Sequence, residues 1–252
     1  MRRERARALL VGVGGLGCPA ALALAHAGIG VLGLCDDDEV DRTNLHRQVL
    51  FSDADVGSPK LDAAARALRS FSSTSSAVTR GSPHVRLHRA RLLPESAVGL
   101  VGEYDIVLEG SDNFATKFLV ADACRIAGVP VVHASAVRWI GTALAVGAHG
   151  QPCYRCLFED VPREDAPNCA EAGVVGPVVG VVAAAQVDLA LAMIDGAPAR
   201  VRVEGQLMTF DGKADVLRRR TIGRRHDCAL CGLAPRIRRI EPEAYVDPAC
   251  AG

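Results

Sequence analysis

The stretch Val11-Gly12-Val13-Gly14-Gly15-Leu16-Gly17 lies between an apolar run and an alanine-rich segment. Glycines at this spacing let a strand turn tightly into a helix and let a phosphorylated ligand approach the backbone. Alone, they admit any dinucleotide. The residues that follow narrow the choice: Asp36 and Asp38, then Asn44, Arg47, Gln48 and Lys60. A nicotinamide site takes an acidic ribose ligand and little positive charge near its phosphates. Here an arginine able to fork onto phosphate oxygens and a lysine as second point charge follow the acids, as a triphosphate requires. Asp36 falls about twenty residues past the glycine loop, where an acid hydrogen-bonds a ribose hydroxyl.

Working outward, Ala8 to Val13 predicts a buried strand and Pro19 to Ala27 the helix after it. Val31 to Cys35 predicts a second strand, and Lys60 to Leu68 has helical spacing of Ala and Leu. Asn44 to Ser58 is polar and loop-rich, and the Ser/Thr-rich Phe71 to Pro83 predicts an exposed, mobile loop. Tyr104 to Glu109 predicts a strand ending in Gly110-Ser111-Asp112-Asn113, then a helix from Lys117 to Ala127 and a strand from Pro130 to Ala134. This alternation predicts an α/β fold, a mostly parallel sheet with helices on both faces and its ligand at the strands' carboxyl ends. Gly14, Asp36 and Asp112 all fall there. Further on, Ile140 to Gly147 predicts a strand, Asp160 to Glu171 an irregular connection, Val174 to Ile194 a buried helix, and Gln206 to Asp211 a late strand.

At 252 residues with 49% apolar side chains and few aromatics, the chain suits one compact α/β domain. Zero formal net charge gives no reason to expect nucleic acid. Arginines crowd the end, at Arg218 to Arg220, Arg224-Arg225 and Arg236 to Arg239. They read as a solvated tail, with a partner-docking patch as the alternative. No stretch reads as long and apolar enough to span a bilayer, and no cleavable apolar segment precedes the first strand. These readings predict a cytoplasmic protein without a membrane partner.

Nine cysteines in such a chain point to metal or catalysis. Cys153-x-x-Cys156 and Cys228-x-x-Cys231 can each place two thiolates on one turn, and two turns complete a tetrahedral zinc site of four sulfurs. A closed site of that kind is structural and staples the C-terminal part to the body. The competing readings are a redox pair or a chance spacing. Cys169 belongs to neither pair and precedes a helix, whose N-terminus lowers a thiol's pKa. It is a candidate nucleophile or a packing residue. Cys18, Cys35 and Cys124 read as core. Asp112 at a strand end is a candidate Mg²⁺ ligand, or a surface charge.

Together these elements resemble the ThiF/MoeB/HesA family, bacterial relatives of ubiquitin-activating enzymes, over Ala8 to about Gly232. The resemblance is carried by GVGGLGCPAA (12–21), DDDEVDRTNLHRQVLF (36–51), VGSPK (56–60), EGSDNFATK (109–117), CYRC (153–156), NCAEAGVVGPVVGV (168–181) and CALCG (228–232). It implies one domain over 1–252: a Rossmann-like ATP-binding half (8–135), a carrier- and zinc-binding half extending the sheet with mixed strands (136–232), and a tail (233–252). It implies an enzyme that uses ATP and Mg²⁺ to adenylate the C-terminal glycine carboxylate of a ubiquitin-like sulfur carrier ending in Gly-Gly. A sulfur donor such as a cysteine desulfurase then completes a thiocarboxylate. By motif position, Gly12, Gly14, Gly15 and Gly17 form the phosphate loop and Asp36 takes ribose. Asn44, Arg47 and Lys60 contact phosphates, Asp112 binds Mg²⁺, and Asp38, Gln48 and Asn113 complete the nucleotide-binding set. Cys169 stands where the family places a cysteine able to link to the carrier, and a homodimer is implied.

Two branches compete, one serving a ThiS-type thiamine-thiazole carrier and the other, MoeB-type, the molybdopterin carrier. NCAEAGVVGPVVGV and Phe210-Asp211-Gly212-Lys213 favour the thiamine branch. Family members usually begin with a helix bearing an RYxRQ-type motif whose arginine reaches the partner subunit's ATP. Here only a few residues precede the first strand, which predicts slower or altered adenylation, or a start downstream of the native one. A nicotinamide oxidoreductase and a non-catalytic carrier-binding relative are the competing functions.

Overall fold

The computed structural model describes residues 3–74, 83–161 and 173–245. Its strands are β1 (Arg7–Val11), β2 (Val31–Cys35), β3 (His84–His88), β4 (Ile106–Glu109), β5 (Val131–Val137), β6 (Ile140–Val146), β7 (Gln206–Asp211) and β8 (Val216–Thr221). They form one sheet ordered β3-β2-β1-β4-β5-β6-β7-β8. The five strands from β3 to β5 run parallel, and β6, β7 and β8 are antiparallel to their neighbours. The sheet is continuous across the 135/136 division, which falls inside β5.

The helices are α1 (Gly17–His26), α2 (Lys60–Thr74), α3 (Pro94–Gly102), α4 (Phe114–Ala127), the single turn α5 (Tyr154–Leu157), α6 (Gly176–Asp195) and α7 (Ala199–Val203). In β1, Ala8 and Leu10 point into one apolar layer with α1, α2 and α6. Leu9 and Val11 point into the other, with α3, α4 and the cysteine turns. Burial on both faces is why β1 reads as a continuous apolar run rather than an alternating one.

Several boundaries and elements differ from expectation. β1 ends at Val11 because Gly12, at φ +87°, already turns the chain. α4 begins at Phe114, not Lys117, because the Asn113 side chain accepts the Thr116 N–H at 2.8 Å and caps it. β3 and α3 were not foreseen. β8 corrects the reading of Arg218 to Arg220 as tail: they occupy an edge strand paired to β7. The absence of a membrane-length stretch is also corrected, since α6 is long and apolar enough by length and composition. It packs against α1 and β4 to β7 as a core helix, with Gln186 buried among them and Asp188 exposed. Phe71 to Thr74 close α2, while 75–82 and 162–172, with most of the expected mobile loop and irregular connection, lie outside the described residues.

Candidate nucleotide site and cysteine cluster

A cavity of about 270 Å³ opens at the carboxyl ends of β1, β2 and β4. Every residue expected on the nucleotide lines it except Gly17, which backs it from the first turn of α1. A Cβ on Gly17 would lie 2.1 Å from the Gly12 carbonyl oxygen, so only glycine permits this turn. Gly15 receives the Arg47 side chain: an added Cβ would meet Arg47 Cδ at 3.2 Å.

The acids and Lys60 form a connected group. Asp36 Oδ2 accepts the Val13 N–H at 2.7 Å and Oδ1 accepts the Asp38 N–H at 2.9 Å. The Asp36 carboxylate thereby ties the glycine loop to the end of β2. Lys60, at the start of α2, donates to Asp38 Oδ2 at 2.6 Å and stands 3.8 Å from Asp36 Oδ1. Burial alone would lower the Lys60 pKa, but Asp36 and Asp38 outweigh it and raise it, so the ammonium stays charged. Arg47 and Gln48 follow a turn, Arg42–Asn44, capped by Asp41, whose side chain accepts the Thr43 N–H. Gln48 is buried, and its Oε1 has no hydrogen-bond partner. Asp112 is exposed at the mouth, in the short loop between β4 and α4.

Sequence reading missed other parts of this wall. Ala90, Arg91 and Leu92, in the turn after β3, line the end beside Cys35. They were invisible while β3 itself was unread. Ser111 and, from the entry to α6, Val174 and Val179 line it too. Cys35 is a core thiol that donates to the Ala90 carbonyl at 3.3 Å, and burial pushes it up to about 12.

A second cavity of about 250 Å³, mainly apolar, meets the first at Asp112. Phe114, Val137, Ile140, Tyr154, Phe158 and Leu207 are among its walls. Ile140 and Phe158 are each 44% exposed at its rim.

On the face of the sheet that carries α4, Cys153, Cys156, Cys228 and Cys231 converge. Cys153 Sγ lies 3.5 Å from Cys228 Sγ and 3.9 Å from Cys156 Sγ, and Cys156 Sγ lies 3.4 Å from Cys231 Sγ. Sulfurs around a tetrahedral zinc stand about 3.8 Å apart, given bonds of about 2.3 Å. The four thiols therefore fit zinc. The Arg225 N–H donates to Cys156 Sγ, and Arg224 Nε donates to the Cys231 carbonyl at 2.8 Å. Beneath them Arg155 forks onto Asp122, Nε to Oδ1 and Nη2 to Oδ2, each 2.9 Å, and lies 4.7 Å over the Phe118 ring. Within the stretch expected as tail, Ile237, Ile240 and Tyr245 pack on this layer, and the Tyr245 hydroxyl donates to Asp122 at 2.7 Å. Cys169 and Cys250 lie outside the described residues.

A protein-family model described as ThiF family matches residues 2–231. The chain is 38% identical over 245 residues to the adenylyltransferase and sulfurtransferase MOCS3 of Anopheles gambiae, spanning 95% of this chain and 53% of that one. It is 41% identical over 243 residues to the protein of the same name from Mus musculus, spanning 96% and 51%. The chain thus spans about half the length of the curated relatives it matches. Among solved structures, E. coli MccB with ATP superposes with a TM-score of 0.76 at 24% identity, over 92% of this chain and 67% of that one, a likeness of fold.

Proposed function

The chain belongs to the ThiF family, and from that premise we propose that it adenylates the C-terminal glycine carboxylate of a ubiquitin-like sulfur carrier. One observation carries the reading: Asp36, Arg47, Lys60 and Asp112, from four separate segments, line a single cavity over a glycine loop. The relatives named adenylyltransferase and sulfurtransferase support the same chemistry. An acid for ribose, two cations for phosphates and a carboxylate for a hard cation form an ATP set rather than a nicotinamide set. The apolar cavity meeting the first at Asp112 supports an acyl substrate that arrives as an extended tail from the carrier side.

In the reaction the carrier's carboxylate oxygen attacks the α-phosphorus and the bond to the bridging oxygen breaks. Pyrophosphate leaves with the electron pair. No protein nucleophile is needed, so the chain's work is positioning and charge neutralisation. Arg47 forks onto phosphate oxygens, Lys60 adds a charge that Asp36 and Asp38 keep protonated, and Asp36 fixes the ribose. Asp112, an exposed carboxylate beside these cations, suits Mg²⁺, which keeps several waters and, when bound, neutralises phosphate charge. The four cysteines hold a structural zinc that ties the Cys228–Cys231 turn to the body.

The same reading includes a homodimer, a sulfur donor such as a cysteine desulfurase, a cytoplasmic setting and a covalent carrier link at Cys169. Of the two branches, the segment at 168–181 and Phe210 to Lys213 favour a ThiS-type carrier. The MOCS3 relatives weigh toward the MoeB-type alternative. ATP–pyrophosphate exchange decides both questions when run with each carrier type: exchange with one assigns the branch, and exchange with neither sinks the proposal. Elemental analysis should find about one zinc per chain, and none would refute the metal reading. A carrier adduct on non-reducing gels that survives Cys169→Ser would remove that cysteine from the mechanism.

A further inference from the structure

Directly beneath the Asp112 loop lies a buried charge cluster that the reaction above does not use. Glu109, the last residue of β4, is fully buried. Its Oε1 accepts the Ser111 N–H at 2.7 Å and the Ser111 hydroxyl at 2.5 Å. Its Oε2 accepts from Lys117 Nζ at 2.8 Å, with His133 Nδ1 at 3.3 Å. Lys117, itself buried in α4, also donates to the Ala134 carbonyl of β5 at 2.7 Å. The main chain of Glu109 is held as well: buried Gln186 of α6 donates from Nε2 to its carbonyl and to that of Val132, each at 2.8 Å.

The cluster fixes both ends of a four-residue loop. At one end the Glu109 carboxylate grips Ser111, next to Asp112. At the other, the Asn113 side chain caps α4, one turn before Lys117. Between these anchors Asp112 is left exposed toward both cavities. Burying an ion pair is costly in itself. Here the pair spans β4, α4 and β5, and a hydrophobic substitute would leave both Ser111 donors unanswered.

We propose that Lys117 and Glu109 are positioning residues for the metal ligand. By clamping Ser111 they hold the Asp112 carboxylate where it meets a divalent cation on the nucleotide's phosphates, so the cluster sets the magnesium dependence of ATP binding. This rests on the nucleotide reading of the first cavity and extends it from the ligand to its support. Outer partners of metal-ligating carboxylates typically change metal affinity by about 10–100-fold when removed.

The test is calorimetric titration of the whole chain with ATP, once with EDTA and once with saturating Mg²⁺. The wild-type protein should bind ATP more tightly with Mg²⁺. Lys117→Met should lose about 10-fold or more of that gain and keep its metal-free affinity. A Lys117→Met protein that gains as much from Mg²⁺ as wild type overturns the proposal. So does an equal loss with and without metal, the mark of a merely structural role. Should Lys117→Met fail to fold, Glu109→Gln, at a residue that does not line the nucleotide cavity, keeps the side chain's size and weakens its grip on Ser111. It should weaken the Mg²⁺ response alone, and an unchanged response overturns the proposal. A wild-type protein that binds no ATP, or gains nothing from Mg²⁺, fails earlier: it rejects the nucleotide reading and this inference with it.

Discussion

The nucleotide edge of the sheet and the layer beneath the cysteine cluster are built from the same groups, arginine, carboxylate and backbone amide, yet finished in opposite ways. Beneath the cysteines, Arg155 is forked onto Asp122, stacked on Phe118 and joined by the Glu159 carbonyl and Tyr245. Each guanidinium nitrogen of Arg155 has an acceptor, and both Arg155 and Asp122 are buried. At the edge, Arg47, Arg91 and Asp112 have no salt-bridge partner among the described residues, and Gln48 Oε1 is buried without a hydrogen bond. Saturated polar groups hold a structure together. Polar groups left in reserve around a cavity are capacity for a ligand.

The contrast is sharpest under deletion. Asp122→Ala leaves the buried Arg155 guanidinium with only the exposed Asp160 carboxylate at 3.3 Å as ion-pair partner among the described residues and should cost about 3–5 kcal/mol of stability, read from urea unfolding. Arg47→Ala deletes a cation that has no ion-pair partner among the described residues. It should lower carrier-dependent pyrophosphate exchange about 100-fold or more while stability moves by less than about 0.5 kcal/mol. Comparable unfolding losses in the two variants would break the comparison.

Acid separates the regions next. Glu109 lies between them: burial pushes its carboxyl up, but Lys117 and His133 overcome this and hold it down at about 2, from 4.5. A carboxylate whose pKa is depressed on folding contributes stability above its unfolded value and loses it as pH falls. Unfolding free energy should therefore drop as pH falls from 4.5 toward 2. Glu109→Gln, which cannot titrate, should flatten that limb, as measured by urea titrations at stepped pH. An unchanged slope would place the acid sensitivity elsewhere. The smallest effect belongs to the exposed edge: Arg218→Ala in β8 should shift stability by less than about 0.5 kcal/mol in the same assay.

How much was legible in the chain follows the same division. Val31–Cys35 and Gln206–Asp211 are read to the residue. The glycine loop and the paired cysteines are legible because their partners lie within a turn, and turn chemistry is local. β3, HVRLH, escaped because it is half-exposed and interleaves basic residues with its two apolar ones. β8, VLRRRT, escaped because three consecutive arginines look like a solvated tail when the pairing strand is not in view. Arg91 went with β3. No local pattern marks Lys117, since its pairing with Glu109 exists only once β4 and α4 fold back on one another. Asp122, Arg155 and Tyr245 join three distant parts of the chain, and no spacing announces them.

One backbone feature has a mechanical side. Arg138, at φ +52° in the turn between β5 and β6, donates its N–H to the Gly173 carbonyl at 2.9 Å, and its carbonyl accepts the Val175 N–H at 3.1 Å. The chain entering α6 is thus tied to the sheet on either side of Val174. Two residues after Val174, Gly176 passes so close to the loop bearing Arg47 that a Cβ there would lie 2.7 Å from the His46 carbonyl. A pull on the chain ahead of Gly173 would load these two hydrogen bonds in tension before any force reached the helix or the arginine loop. Val174, held between the two bonds, itself lines the cavity, so the turn fastens this part of the cavity wall to the sheet.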